Sequence, residues 1–236
     1  MKIMLDAGHG PNTAGKRSPN NFKEFEFNSK VADFVKVLLG NYKDVTVYFA
    51  HSKKVDVPLK ERTDKANQLK VDCYISIHAN AYGTNWNNAN GIETYAYVTK
   101  PKEAMELAKK VQKNLVIRTG LTDRGVKTAD FHVLRESNMT AILCECGFYT
   151  NKKEEAFLRS KTFQETCAEA IVKGIVDQYH LKKKSTPAPP PPESNTNYFV
   201  QVGAFTDKKK AEQLAKELKG KGFDPIVVDN KGTVQK

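Results

Sequence analysis

Long apolar runs are missing from this chain of 236 residues. No stretch approaches the ~20 apolar residues that span a bilayer, so we expect no membrane insertion. The first residues, Met1–Asp6, have neither a long apolar segment nor a cleavage site of small residues. This pattern predicts that there is no secretory signal peptide, and hence that the protein is synthesised in the cytoplasm.

Cysteine is scarce as well. The four cysteines, Cys73, Cys144, Cys146 and Cys167, have no CxxC spacing and lie in apolar segments. A disulfide framework is unusual in so long a chain, so we expect reduced, buried thiols. Cys144 and Cys146 flank Glu145, and the alternation of side chains along a strand would point both thiols away from that carboxylate.

Acidic residues are outnumbered, with 27 against 38 lysines and arginines, which gives a net charge of +11. The excess is spread over the chain, since residues 182–236 hold 11 lysines against 6 acidic residues. A basic surface favours a polyanion such as nucleic acid, anionic lipid or an anionic wall polymer. Helix-turn-helix, RNP and zinc-finger patterns are all missing, so we expect no nucleic-acid partner.

Proline is concentrated in residues 182–197, which predicts an extended linker between a domain at 1–181 and a segment at 198–236. Before the linker, apolar strands and amphipathic helices alternate, which predicts an α/β fold. We expect a twisted, mostly parallel sheet of about six strands flanked by helices. The C-terminal segment predicts a small β-α-β unit. The predicted strands are 2–6, 45–49, 72–78, 91–98, 140–146, 197–205 and 225–228, and the predicted helices are 25–39, 58–69, 101–119, 154–179 and 207–218.

Two histidines follow predicted strands, where ligands and catalytic groups gather in open α/β sheets. His9 lies between Gly8 and Gly10, and His78 shares a strand face with Ser76 and Asn80. Two imidazoles with one carboxylate form a catalytic zinc site of the His₂Glu type. A glycine-rich turn and a structural histidine are the alternative interpretations.

Two carboxylates compete for the third position, Glu24 and Glu26, both at the start of a predicted helix. We prefer Glu24, because it precedes Asn28 by four residues and shares its helix face. Glu145 is the candidate base, since a carboxylate in a core strand is costly unless it is paired or used. A structural glutamate that accepts backbone N–H groups is the alternative for Glu145.

Three weaker assignments concern the remaining histidines. His51 and His180 are assigned to the surface, and His132 precedes Val133-Leu134-Arg135, where it could contact substrate. An ordinary surface histidine is the alternative for His132.

Together these residues resemble the type-3 family of zinc-dependent N-acetylmuramoyl-L-alanine amidases. The resemblance covers most of residues 1–180. It is carried by Asp6–Gly10, Glu24, Asn28, Leu59, Arg62, Ala66-Asn67, Asp72, Ser76–Asn80, Val133–Arg135 and Glu145–Phe148.

The resemblance implies one Zn²⁺ held by His9, Glu24 and His78, with Glu145 as the catalytic acid and base. It also implies peptidoglycan as substrate, cleaved at the amide between the lactyl group of N-acetylmuramic acid and L-alanine. Asp6 is a further candidate, because either Asp6 or a backbone carbonyl could orient His9 through its second ring nitrogen. Asn80 is grouped with Asp6 and His132 as a possible substrate contact or supporting residue.

Residues 198–205, with Ala211, Ala215 and Gly222-Phe223, resemble the first half of a sporulation-related repeat domain, a βαββαβ peptidoglycan binder. This similarity implies peptidoglycan binding, and the basic charge of the protein would add retention on anionic wall polymers. Phage endolysins and mother-cell lysis enzymes are made inside the cell and act on the wall after release by a holin or by lysis. Two other functions compete: a zinc carboxypeptidase-like enzyme acting on the stem peptide, and a wall-binding protein without catalysis.

Overall fold

The structure, a computed structural model, describes residues 1–13, 15, 17–184, 200–229 and 234–235. The chain divides into two compact units, Met1–Lys184 and Ser185–Lys236, so the boundary falls inside the proline-rich segment. In the first unit the strands are β1 (Lys2–Ala7), β2 (Thr46–Phe49), β3 (Cys73–Asn80), β4 (Ile92–Tyr97), β5 (Asp123–Ala129) and β6 (Thr140–Phe148). Its helices are α1 (Glu24–Leu39), α2 (Leu59–Leu69), α3 (Lys102–Thr119), α4 (His132–Arg135), α5 (Lys152–Arg159) and α6 (Lys161–Tyr179).

The six strands form one sheet in the order β2-β1-β3-β6-β4-β5. Strands β1, β2, β3 and β6 run parallel to one another, while β4 pairs antiparallel to β6 and parallel to β5. The predicted α/β fold with a mostly parallel sheet is therefore confirmed. The antiparallel β4 brings its first residues next to the carboxyl end of β6, where the candidate site residues lie.

The two faces of the sheet differ in composition. Alternate strand residues on one face, among them Ile75, Ile77 and Cys144, pack in the large apolar core with helices α1, α3 and α6. The opposite face carries a smaller apolar cluster that includes Tyr74 and Leu143 and lies against α2 and α4. Because side chains alternate along a strand, Ser76 and His78 of β3 and Glu145 of β6 project from this second face.

All four cysteines are buried free thiols, as expected. Cys144 and Cys146 lie in the large core on the face opposite to Glu145. Burial is the main reason that the pKa of Cys144 is raised well above its ordinary value. These thiols therefore belong to the packing of the sheet.

Strand β5 and the short helix α4 were absent from the sequence prediction. β5 is an edge strand of sequence DRGVKTA, in which charges and a glycine hide the usual apolar alternation. The predicted helix 154–179 is two helices, because Ser160 adopts an extended conformation between α5 and α6.

In the second unit, the described residues form helix α7 (Lys208–Gly220) and two short strands, β7 (Val227–Val228) and β8 (Val234–Gln235), which pair antiparallel. The predicted strand 197–205 was wrong over residues 200–205, which form no strand. A strand requires a pairing partner, and the described residues offer none to this segment. Residues 197–199 and most of the predicted linker, 185–197, lie outside the described residues.

Within the part of the chain that the structure describes, no helix has the length and apolar character needed to cross a membrane.

Helices α3 and α6 approach each other at Gly174. A Cβ atom at this position would lie 2.9 Å from the backbone of Val111, so a larger residue must separate the helices. We predict that Gly174→Val lowers the free energy of unfolding by about 1–3 kcal/mol, the usual cost of overpacking. Lys173→Val is the matched control, because it places the same residue at a half-exposed position on the same helix. Thermal denaturation should show a clearly larger loss of Tm for Gly174→Val, and equal losses would contradict the packing argument.

Candidate metal centre and active site

A row of polar side chains crosses the second face of the sheet. Pairing places Asp6 of β1 beside Ser76 of β3, and His78 of β3 beside Glu145 of β6. Glu145 is also paired with Glu93 of the antiparallel strand β4. Register alone therefore gathers three carboxylates and an imidazole at one edge of the sheet.

Glu24 lies between the two histidines. Its Oε1 accepts a hydrogen bond from His78 Nδ1 at 2.9 Å, and its Oε2 lies 3.1 Å from His9 Nε2. One ligand atom from each of these three residues lies within 4.8 Å of the others. This is the arrangement of donors that the sequence predicted for a metal.

Glu26, the competing carboxylate, is placed elsewhere. Its side chain is exposed and accepts a hydrogen bond from the backbone N–H of Lys23, as a capping residue of α1. Glu24 is 1 % exposed, and the backbone N–H of Ala79 also donates to its Oε1, at 3.2 Å. The geometry therefore favours Glu24 over Glu26 as the third member of the cluster.

The cluster shifts the titration of its members in opposite directions. Burial opposes the ionisation of Glu24, but its hydrogen bonds with His78 and His9 outweigh burial and lower the pKa of this carboxyl. Burial also opposes a charged His78, yet the hydrogen bond and charge of Glu24 raise the pKa of this imidazole. The site thus favours an ionised carboxylate, which is the form that binds a cation.

Gly8 leaves room for the imidazole of His78. A Cβ atom on Gly8 would lie 2.1 Å from Cε1 of His78, so only glycine leaves room for this ring. His9 adopts a positive φ of 64°, which turns the chain immediately after β1. The glycine-rich stretch is therefore a steric requirement of the site.

The sequence suggested that Asp6 orients the His9 ring, but Asp6 is bound to other groups. Its Oδ1 accepts a hydrogen bond from Arg62 Nη1 at 2.7 Å and its Oδ2 one from Ser76 Oγ at 2.8 Å. Arg62 in turn donates to the backbone carbonyls of Ala7 and His9. Asp6 is therefore linked to His9 through Arg62 and the backbone carbonyl of His9.

Glu145 projects into a cleft of about 560 Å³ and is only 5 % exposed. The same cleft is lined by His9, His78 and Arg62, with apolar walls that include Leu59 and Phe131. A substrate that reached the histidines would thus also meet Glu145. Glu154, on α5, is a second buried glutamate near this end of the sheet, and its two oxygens accept the backbone N–H groups of Gly91 and Phe148 at 2.8 Å each.

Sequence reasoning missed Glu93. This carboxylate is 2 % exposed and accepts hydrogen bonds from Arg124 Nε and Asn80 Nδ2 at 2.8 Å each and from Tyr95 Oη at 2.7 Å. Lys127 Nζ is a fourth partner. Burial opposes its ionisation, but the hydrogen bonds of Lys127 and Arg124 lower the pKa of Glu93 to about 2. Only the register of an antiparallel strand reveals it as a neighbour of Glu145.

The other candidates fall into two groups. His132 lines the cleft, where its Nε2 lies 3.4 Å from Thr63 Oγ1, and Asn80 binds Glu93 at the end of β3. His180 is exposed, as expected, but the surface assignment of His51 was wrong. Burial lowers the pKa of His51 to about 4, and its neutral Nδ1 accepts a hydrogen bond from the backbone N–H of Ala7.

The His9, Glu24 and His78 donors suit a transition-metal ion. Two imidazoles and one carboxylate are the ligand types of catalytic zinc sites that leave one position open. The donors come from three separate elements, namely the turn after β1, the start of α1 and the end of β3. Their convergence in a cleft beside a buried carboxylate provides the parts needed for metal-assisted hydrolysis.

Comparison with known proteins identifies the same family. The family described as N-acetylmuramoyl-L-alanine amidase matches residues 3–177, and the SPOR domain matches residues 194–235. A sporulation-specific N-acetylmuramoyl-L-alanine amidase of Bacillus subtilis is 32 % identical over 97 % of this chain and 84 % of its own length. An endolysin of Bacillus phage SPP1 is 35 % identical over 98 % of this chain and 89 % of its own length.

Solved structures agree with the sequence matches. An N-acetylmuramoyl-L-alanine amidase from Clostridium difficile 630 aligns with a TM-score of 0.71 and 37 % identity, covering 75 % of this chain and 95 % of the other. The catalytic domain of CwlV, from Bacillus (Paenibacillus) polymyxa, aligns with a TM-score of 0.71 and 35 % identity, covering 77 % and 99 %. The protein is an enzyme that hydrolyses the bacterial cell wall, and its chain belongs to the N-acetylmuramoyl-L-alanine amidase family.

Proposed function

We propose that His9, Glu24 and His78 bind one Zn²⁺ and that Glu145 is the acid and base of the amidase reaction. The bond cleaved is the amide between the lactyl group of N-acetylmuramic acid and L-alanine of peptidoglycan. The observation that carries this assignment is the pairing of His78 with Glu145 on neighbouring strands, with Glu24 between the two histidines. Family membership favours this reaction over a stem-peptide carboxypeptidase and over a non-catalytic wall binder.

An amide is a poor electrophile. A bound Zn²⁺ would polarise its carbonyl group and would lower the pKa of water to about 7. The protein residues then have separate tasks. Glu24 is kept ionised, and the positions of both imidazoles are set by the backbone around Gly8 and by Arg62. Leu59 and Phe131 give the cleft apolar walls against which a substrate can pack.

Glu145 moves the proton. Its carboxylate accepts a proton from the attacking water and delivers it to the amine of L-alanine as the amide bond breaks. Its place on β6, 5 % exposed and beside His78 in register, brings it to the same reacting atoms as the metal ligands. His132 lines the cleft and is assigned to substrate contact, while Asp6 and Asn80 support the site through Arg62 and Glu93.

The second unit is proposed to bind peptidoglycan. Residues 1–181 would form the catalytic domain, 182–197 the linker and 198–236 the wall-binding segment, in keeping with the SPOR match at 194–235. The net charge of +11 would add attraction to anionic wall polymers. The endolysin and sporulation relatives support action on the wall after release from the cell that makes the enzyme.

We predict that Glu24→Gln abolishes stoichiometric zinc binding and hydrolysis, because a neutral amide replaces the ionised ligand. Glu26→Gln makes the same change two residues away on the exposed side of α1 and should keep both. Zinc is measured by elemental analysis of the purified protein, and hydrolysis by mass spectrometry of the new L-alanine amine in digested peptidoglycan. Chelation of the wild type should abolish that amine and zinc should restore it. Full zinc occupancy in Glu24→Gln would refute the ligand set.

We predict that Glu145→Gln retains zinc but lowers kcat by roughly a hundredfold to ten-thousandfold, the usual contribution of a general acid–base group. Glu136→Gln is the control, since it removes the same charge at an exposed position after α4. Turnover of Glu145→Gln at the wild-type rate would overturn the assigned role, whatever its zinc content.

We predict that salt weakens retention on the wall. The Debye length falls to about 3 Å at 1 M ionic strength, which screens the attraction between the basic protein and an anionic polymer. Cosedimentation with purified walls should decrease steadily from 0.05 M to 1 M salt as the Debye length shortens. Walls stripped of their anionic polymers serve as the control and should show a much smaller decrease. Identical binding to intact walls at every salt concentration would contradict an electrostatic contribution.

A further inference from the structure

The Glu93 cluster contains more positive charge than its buried carboxylate requires. Glu93 binds both Arg124 and Lys127, so the three side chains carry a net charge of +1. The Glu93 side chain is 3 % exposed, whereas the side chains of Arg124 and Lys127 are 35 % and 39 % exposed. The carboxylate is therefore buried beneath two cations that remain accessible to an anion from solvent.

The Arg124 guanidinium is held in a defined orientation. Its Nε donates to Glu93 at 2.8 Å, its Nη1 donates to the carbonyl of Asn90 at 3.3 Å, and its Cζ lies 4.9 Å from the ring centroid of Phe148. A guanidinium oriented in this way loses little conformational entropy when it binds a ligand carboxylate. The cluster is thus suited to recognition as well as to neutralising Glu93.

The cluster continues the polar row of the candidate active site. In register, His78 is followed by Glu145 on β6 and by Glu93 on β4. Neighbouring strands are about 4.8 Å apart, so Glu93 lies about 10 Å from His78 across the sheet. Tyr95, which binds Glu93, also makes an edge contact with Phe131 of the cleft wall at 5.3 Å between ring centroids.

We propose that Arg124 and Lys127, held by Glu93, form a subsite for a carboxylate of the stem peptide that follows L-alanine. The subsite rests on the proposed function, because it is positioned relative to an amide bound at His9 and His78. An extended peptide advances about 3.3 Å per residue, so about three residues separate the two positions. This spacing matches a carboxylate near the second or third residue better than one at the far end of a longer stem.

The test uses three muramyl tripeptides with a γ-linked glutamate as the second peptide residue. One form has both carboxylates free, one has the second-residue α-carboxylate amidated, and one has the C-terminal carboxylate amidated. The variant is Lys127→Met, which leaves Arg124 to pair with Glu93 and reduces the net charge of the cluster to zero. Lys173→Met, on α6 and paired with Asp177, is the control for loss of an accessible lysine.

We expect Lys127→Met to raise KM for the free-acid substrate about tenfold with kcat unchanged, which corresponds to the loss of one charge-assisted contact. Amidation of the recognised carboxylate should raise the wild-type KM similarly and should remove the difference between variant and wild type. The amidated form that does this identifies which carboxylate is bound. Lys173→Met should match the wild type on all three substrates.

A second variant guards against a folding defect. Lys127→Arg keeps the net charge of the cluster at +1 and leaves Glu93 in place, so KM should stay within about threefold of the wild type. Equal KM values for wild type and Lys127→Met on the free acid, or an equal rise on all three forms, would refute the subsite while leaving the amidase intact. If the wild type cleaved none of the three forms, both the proposed function and the subsite would be refuted.

Discussion

The Arg62 guanidinium holds the candidate active site together. It is 2 % exposed and joins helix α2 to the end of β1 through Asp6, the carbonyls of Ala7 and His9, and the carbonyl of Val57. A buried guanidinium is tolerated only when its donors are satisfied, and here they are satisfied by the backbone that carries a candidate ligand. The position of α2 therefore fixes the position of the His9 backbone through the several N–H donors of one planar guanidinium. A lysine, with a single nitrogen, could not make these contacts together.

The two faces of the sheet divide the work of the fold. One face is closed by α1, α3 and α6 and contains the free thiols and most of the core. The other is covered by α2 and α4, and the polar row from Asp6 to Glu93 projects from it. Burying one face thoroughly allows the second to carry several ionisable groups, each stabilised by a specific partner and not by packing.

The sequence predicted the parts that depend on local patterns. The apolar run of β1 and the helical spacing of α1 identified these elements, and the histidines after two strands indicated the site. Edge strand β5 and the buried state of His51 were missed, because charges mask the first and tertiary packing decides the second. Glu93 could not be recognised from the order of residues, since its proximity to Glu145 depends on the antiparallel pairing of β4.

That pairing also determines the course of the segment that joins β3 to β4. Because β4 is antiparallel to β3 and β6, residues 81–91 leave the sheet at the carboxyl end of β3 and return to it at the same end. Asn87 braces this connection by donating its side-chain amide to the carbonyls of Tyr82 and Asn85 and its backbone N–H to the carbonyl of Thr150. At its end, the backbone N–H of Gly91 donates to Glu154. A replacement of different length between these anchor points would leave the strand order unchanged. The connection is thus a segment of adjustable length between fixed ends, where a change of sequence disturbs the hydrolytic framework least.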